Sequence, residues 1–177
     1  MVSKVLIATD GSAHGNKAVA FGADIAAKYG ADLVLVHVLL RGEYSENMRH
    51  MAEVEHMVAE GGRPLAEAFA SVPVGRFPTN MILSAENATT PERVLFAIGE
   101  QVLDQAAAIA HEKGVKSIKK RLEDGDPVQR ILDVIESEEA DLVITGARGL
   151  SDLKALLVGS VSHKISHLSP VTCVTVR

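Results

Sequence analysis

Residues 4–40 read KVLIATDGSAHGNKAVAFGADIAAKYGADLVLVHVLL, and they alternate between two kinds of apolar pattern. Lys4 to Thr9 (KVLIAT) is a short apolar run closed by the turn signal Asp10-Gly11-Ser12, which is how a buried strand reads. From Gly15 to Tyr29 the period lengthens. Ala18, Gly22, Ile25, Ala26 and Tyr29 recur at helical spacing, and Gly30 stands where a helix C-cap is expected. Asp32 to Leu40 (DLVLVHVLL) is again a short apolar run and reads as a second buried strand.

The C-terminal part repeats this rhythm. Ser117 to Glu123 is a third strand whose charges suit a sheet edge. Asp126-Pro127 is an N-cap followed by proline at the first helical position. Val128, Ile131, Leu132 and Ile135 mark the apolar face of the helix that follows. Asp141 to Thr145 (DLVIT) is a strand, and Ser160 to Leu168 is a helix with Val161, Ile165 and Leu168 on one face. Pro170 stops that helix, and Val171 to Val176 is a final strand. The expected fold class is therefore α/β, a parallel sheet covered on both faces and joined by right-handed crossovers. Open sheets of this kind bind ligands at the carboxyl ends of strands, where the strand order reverses. This puts Thr9-Asp10, Val38 and the loop after Thr145 on the functional edge.

Residues 41–90 break the pattern. Met48, Met51, Ala52, Glu55 and Val58 have helical spacing, so Glu46 to Glu60 is expected to be helical, ended by Gly61-Gly62. Pro64 to Ala70 reads as a second short helical piece. Val72 to Pro91 contains Pro73, Pro78 and Pro91 and reads as irregular. Thr90-Pro91 caps a long helix running to about Lys113, with Val94, Leu95, Ile98, Val102, Ala106 and Ile109 inward. The whole of 1–177 is read as one domain with an enlarged, partly helical insertion at about 41–90. So long an insertion is seldom idle; a lid, an interaction surface and a packed appendage all remain open.

Composition narrows the function. A length of 177 residues with 47% hydrophobic and 23% charged residues suits a single globular domain rather than a disordered chain. The formal net charge of -5 argues against a dedicated nucleic-acid binder and favours a small-molecule or protein partner. Leu33 to Leu40, broken by His37, is far too short to span a bilayer, so no membrane insertion is expected. No signal peptide is expected, because Asp10 and Gly11 interrupt the apolar stretch near the N-terminus. The single cysteine, Cys173, fits a reducing compartment. A cytoplasmic location follows as the expectation.

The chemistry-bearing stretch is Gly146-Ala147-Arg148-Gly149, then nine residues, then Gly159-Ser160. Gly146 follows a strand, and Gly149 permits a close turn or a positive φ. Gly159 and Ser160 open the next helix, whose free N–H groups and dipole favour an anion. The Ser160 and Ser162 hydroxyls add hydrogen bonds. The result is a phosphate cradle without a catalytic lysine. Neither a P-loop nor a G-x-G-x-x-G dinucleotide fingerprint is present.

Together with Thr9-Asp10-Gly11-Ser12, these residues make the chain resemble the nucleotide-binding branch of the universal stress protein family. The resemblance covers Val2 to Val38 and roughly Gln101 to Val176. It includes ATDGS, the strand ending in HV, the GARG loop, LLVGSVSHKI and the closing SPVTCVTV. It implies a Rossmann-like or flavodoxin-like five-stranded parallel sheet that binds ATP, or ADP or AMP, with or without Mg²⁺. By similarity, Asp10 contacts the ribose or base side, with Ala8 and Thr9 lining the pocket. Val38 meets adenine, chiefly through its backbone. Gly146, Gly149, Gly159 and Ser160 surround ribose and phosphates, with Val161 and Ser162 continuing the cradle. The resemblance also implies a homodimer or higher homo-oligomer through the last strand. Ala8 stands where many relatives have proline, and the 41–90 region is longer than usual.

Each residue also has a plainer reading. Asp10 can simply accept backbone N–H bonds in a turn. Arg148 reaches a phosphate or is a solvated surface arginine. His163 and His167 are four apart and could share a metal, but no third ligand is in sight. His37 reads as a satisfied core histidine. His14 reads as a loop residue close to the site and within reach of a phosphate, and Cys173 as packing.

Three functions compete. The leading one is a nucleotide-binding regulatory stress-response protein that couples adenine-nucleotide occupancy to an unidentified protein partner or to assembly. The second is a slow ATP hydrolase or phosphotransferase. The sequence leans away from an enzyme, since no motif places a general base or a carboxylate pair for Mg²⁺. The third is a nucleotide-free interaction module, which the retained glycines disfavour.

Overall fold

The computed structural model describes residues 2–39, 90–149 and 160–177. The chain divides into two units, Met1–Arg41 with Gly99–Arg177, and Gly42–Ile98. Within the second, the described residues are 90–98, the opening of one helix. The helices expected at Glu46–Glu60 and Pro64–Ala70, and the insertion at about 41–90 as a whole, lie outside the described residues. The long helix expected from Thr90-Pro91 to about Lys113 is present, running Thr90–Glu112.

The first unit is built on five parallel strands: β1 (Lys4–Ala8), β2 (Asp32–Leu39), β3 (Ile118–Asp124), β4 (Leu142–Gly146) and β5 (Thr172–Val176). Four described helices alternate with them: α1 (Ala13–Tyr29), α2 (Thr90–Glu112), α3 (Pro127–Ser137) and α4 (Ser160–Leu168). None of the described helices is long and apolar enough to cross a membrane. The sheet order is β3-β2-β1-β4-β5. The chain moves outward from β1 to β3, then returns to the other side of β1, so the order reverses between β1 and β4.

Local chemistry sets the helix ends. The Ser12 hydroxyl caps α1 by accepting the Gly15 N–H at 3.1 Å, a contact worth about 1 kcal/mol. His14, expected in a loop, therefore lies in the first turn of α1. Gly30 ends α1 at φ 65° and donates its N–H to the Ala26 carbonyl. Asp126 caps α3 through the Gln129 N–H at 2.9 Å, with Pro127 in the first turn.

Two apolar layers hold the sheet. On one face Val5, Ile7, Leu33, Leu35 and Ile144 pack under Ala18, Val19 and Ala23 of α1 and Leu103, Ala106 and Ala110 of α2. On the other, Leu6, Val34, Val36 and Val143 pack under Ile131, Val134 and Ile135 of α3 and Ile165 of α4. Each large aliphatic side chain fully buried here contributes about 1.5–3 kcal/mol. Two expected inward residues are not inward. Tyr29 and Leu168 are 55% and 59% exposed, because each sits in the last turn of its helix.

The amino edge of the sheet is closed by charge. Asp141 accepts from Ser3 N (2.7 Å), Ser3 Oγ (2.6 Å) and Lys4 N (2.9 Å). These bonds, the Ser3 hydroxyl first, hold its carboxyl at about 2. Glu138 is buried at the end of α3 and receives Lys119 at 2.7 Å and Arg121 at 2.5 Å. The Lys119 bond is the main cause that lowers its pKa. Lys4 Nζ donates to the Glu138 carbonyl at 2.6 Å.

Candidate functional site

The strand order reverses between β1 and β4, the place where open α/β sheets form their ligand crevice, and β1, β2 and β4 end there at Ala8, Leu39 and Gly146. Thr9 leaves β1 after one more rung, its N–H bonding the Val36 carbonyl at 3.0 Å. The turn that follows is pinned locally. Gly11 N–H bonds Thr9 Oγ1 at 3.2 Å, and Ser12 N–H bonds Asp10 Oδ1 at 3.0 Å. Gly11 adopts φ 79°, in the left-handed region that glycine tolerates. Asp10 thus plays the turn role anticipated for it, and its carboxylate also faces the loop after β4.

The second wall comes from the GARG loop. A Cβ on Gly149 would overlap Asp10 Oδ2, so the carboxylate lies directly on the Gly149 backbone. The glycine is required for that close approach. A positive φ, the other use open to it, is found at Gly11, Gly30, Gly114 and Gly125 but not at Gly149. A Cβ on Gly146 would come within 2.9 Å of three backbone atoms of His14 and Gly15. Its bare Cα lets the end of β4 touch the first turn of α1. Ser12 Oγ also reaches the Arg148 carbonyl at 3.5 Å, tying the loop to the same turn.

The remaining expected residues divide. Ala8 and Thr9 stand at the crevice, and Arg148 is half-buried in the loop. Val38 lies near the end of β2, opposite Glu123 of β3 and beyond the last β1 rung, Ala8 with Val36. Its side chain is buried in the core layer below, so its backbone is what it offers the crevice. Ser160 begins α4, and Val161 is half-buried in the first turn. Ser162 is buried, and its hydroxyl donates to the Ala147 carbonyl at 3.4 Å. That bond sets the N-terminal end of α4 beside the end of β4. Gly159 lies outside the described residues.

His37 is 2% exposed, and its Nδ1 lies 2.8 Å from the Thr9 carbonyl oxygen. A carbonyl only accepts, so Nδ1 carries the proton. Burial holds the pKa of the ring below its ordinary value, against the Thr9 bond and the nearby Asp10 charge, which both pull it up. Nε2 finds no partner among the described residues, so this core histidine is only half satisfied. The rings of His163 and His167 sit 4.6 Å apart on α4. Among the described residues no group of three or more metal-ligating side chains comes together.

Three contributors escaped the sequence reading. Ser12 links the α1 cap to Arg148. Gly15 makes room for both Asp10 and Thr9, since a Cβ there would lie 2.8 Å from Asp10 Oδ1 and Thr9 Oγ1. The Ser-x-x-Gly spacing at an N-cap was the available signal for both. The third is the His37–Thr9 bond, which no local pattern announces.

Comparisons with known proteins agree with this architecture. A family model described as the universal stress protein family matches residues 1–177. Universal stress protein YxiE of Bacillus subtilis (strain 168) is 28% identical over 177 residues, covering all of both chains. A solved universal stress protein in complex with cAMP superimposes with a TM-score of 0.59 at 20% identity, over 99% of this chain and 97% of that one. The universal stress protein from Archaeoglobus fulgidus in complex with dAMP gives 0.56 at 16% identity over the full length of both.

Proposed function

Because this chain belongs to the universal stress protein family, we propose that it is an adenine-nucleotide-binding regulatory protein that couples occupancy to a protein partner or to assembly. The observation that carries this reading is the meeting of Asp10 with Gly149 at the point where the strand order reverses. Two of the solved relatives were captured with cAMP and dAMP, which supports the same ligand class here.

The residues present suit such a ligand. Gly146 and Gly149 offer backbone without side chains, and the start of α4 supplies amides free of intrahelical partners. In this reading the Val38 backbone and the walls at Ala8 and Thr9 take the adenine, and Asp10 takes the ribose hydroxyls. Gly146, Gly149, Gly159 and Ser160 surround ribose and phosphates, with Val161 and Ser162 continuing the cradle. The resident ligand is ATP, ADP or AMP, with or without Mg²⁺. Copies pair through β5, and the protein works in the cytoplasm.

Calorimetric titration with ATP, ADP and AMP, each with and without Mg²⁺, tests this reading. Saturable one-site binding that is lost in Asp10→Ala supports it. Absence of heat with all three, together with no copurifying nucleotide in native mass spectrometry, overturns it.

A further inference from the structure

We propose that His37 is the positioning residue of the nucleotide edge: it takes the Thr9 carbonyl out of the β1–β2 ladder and so leaves the Val38 amide to the bound base. This rests on the adenine-nucleotide reading above. In a parallel ladder, a given residue sends its N–H and its C=O to the same neighbouring strand, and successive residues alternate between neighbours. Along β2, Asp32 N–H bonds Ser3 O, and Val36 O accepts Thr9 N–H, so even-numbered residues address β1. Leu33 N–H bonds Ser117 O, so odd-numbered residues address β3. The N–H of Val38 therefore faces the β1 side, and the acceptor due next in that ladder is the Thr9 carbonyl. Among the described residues the ladder stops one rung short, and the Thr9 oxygen lies against His37 Nδ1 instead.

The imidazole is well suited to the task. Gly99 of α2 packs over it: a Cβ there would come within 3.2 Å of His37 Cδ2 and within 2.9 Å of the Leu39 and Leu122 methyls. This apolar seat fixes the ring. The opposite tautomer would set two lone pairs face to face at Thr9 and bury an unpartnered N–H. With the carbonyl held by the ring, Thr9 leaves the sheet, and the next residue, Asp10, swings toward Gly149. One neutral side chain thereby ends a ladder and presents both the carboxylate and the free amide of the crevice.

Three variants separate positioning from packing. His37→Asn keeps an N–H donor at the place of Nδ1, His37→Gln carries its donor one atom further out, and His37→Leu has none. ATP and AMP are titrated against each, with circular dichroism and thermal melts recorded alongside. His37→Asn is expected to bind within about threefold of the unchanged chain. His37→Leu and His37→Gln are expected to lose about tenfold, roughly what one buried hydrogen bond carries. In ligand-free protein, hydrogen exchange at the Val38 amide is expected to slow in His37→Leu as the Thr9 carbonyl rejoins the ladder. The proposal is overturned if Val38 exchange is the same in His37→Leu and the unchanged chain, or if His37→Asn loses as much affinity as His37→Leu. Should the unchanged chain bind no adenine nucleotide, the proposed function fails, and the exchange comparison still decides the role of His37.

Discussion

At the amino edge of the sheet, polar groups close on one another; at the carboxyl edge, they stand on bare backbone. Asp141 gathers three donors from Ser3 and Lys4, and Glu138 gathers Lys119 and Arg121. Across the same strands, Gly146 and Gly149 offer no side chain, and the Thr9 carbonyl is diverted from its ladder. At the amino edge Asp141 and Glu138 are bonded within the chain and act as a clamp. The carboxyl edge instead sets glycine backbone against its neighbours, which is where the proposed nucleotide would lie. Substitutions at the first edge should therefore move stability, and those at the second should move affinity.

The largest expected effect tests the carboxyl edge. Gly149→Val puts a branched side chain where the Asp10 carboxylate sits. Displacing that carboxylate removes a charged hydrogen-bonding partner of the proposed ligand, so nucleotide affinity should fall by up to about a hundredfold in calorimetry, while overpacking lowers stability by about 1–3 kcal/mol in thermal melts. A Gly149→Val chain that binds as before would break the comparison. Next comes Glu138→Ala, which strips the partner from Lys119 and half the partners from Arg121. Because Lys119 is 59% exposed and Arg121 keeps Glu123, the loss should be about 2 kcal/mol in urea unfolding, less than for a fully buried pair. Nucleotide affinity should stay within about twofold. Gly30→Ala is smaller. Nothing lies within 4 Å of its missing Cβ, so only the φ of 65° resists, at about 1 kcal/mol.

The smallest effect is a pH dependence. The Asp141 carboxyl is held at about 2, below its ordinary 3.8. A depressed carboxyl stabilises the fold above the unfolded value, and that contribution is lost as pH falls through the folded one. Stability should therefore slope downward from about pH 4 to about pH 2, and Asp141→Asn should flatten the slope. Equal slopes in the two proteins would remove Asp141 from the clamp.

The fold was legible because its strands are short apolar runs with punctuation at Asp10-Gly11, Gly30 and Asp126-Pro127. Among the described residues, periodicity overreached at helix ends, where Tyr29 and Leu168 keep the right phase but fall in last turns. It also passed over Leu103, Val134 and Ala110, which broaden the buried stripe beyond the residues named from spacing. Of the candidate site, the Asp10, Gly146 and Gly149 positions were legible from strand ends and glycine spacing. The contact between Asp10 and Gly149 was not, since 139 positions of chain separate the two residues and only the β1–β4 register joins them. The same holds for His37 and Thr9, whose bond spans 28 positions. Ser162 carries a hydroxyl that suits an anion, yet the fold turns it toward Ala147, which residue type alone does not disclose.

The strand order carries one more consequence. One rim of the sheet, β3, bears Lys119, Lys120, Arg121, Glu123 and Asp124, and such a row repels an incoming strand. The other rim, β5, is TCVTV and carries no charge at all. The pairing of copies proposed above would thus be one-sided, in the way growth of a crystal with one poisoned face is. If two copies meet along their uncharged rims, both outer borders of the resulting ten-stranded sheet are the guarded kind, and addition terminates there instead of propagating into a fibre.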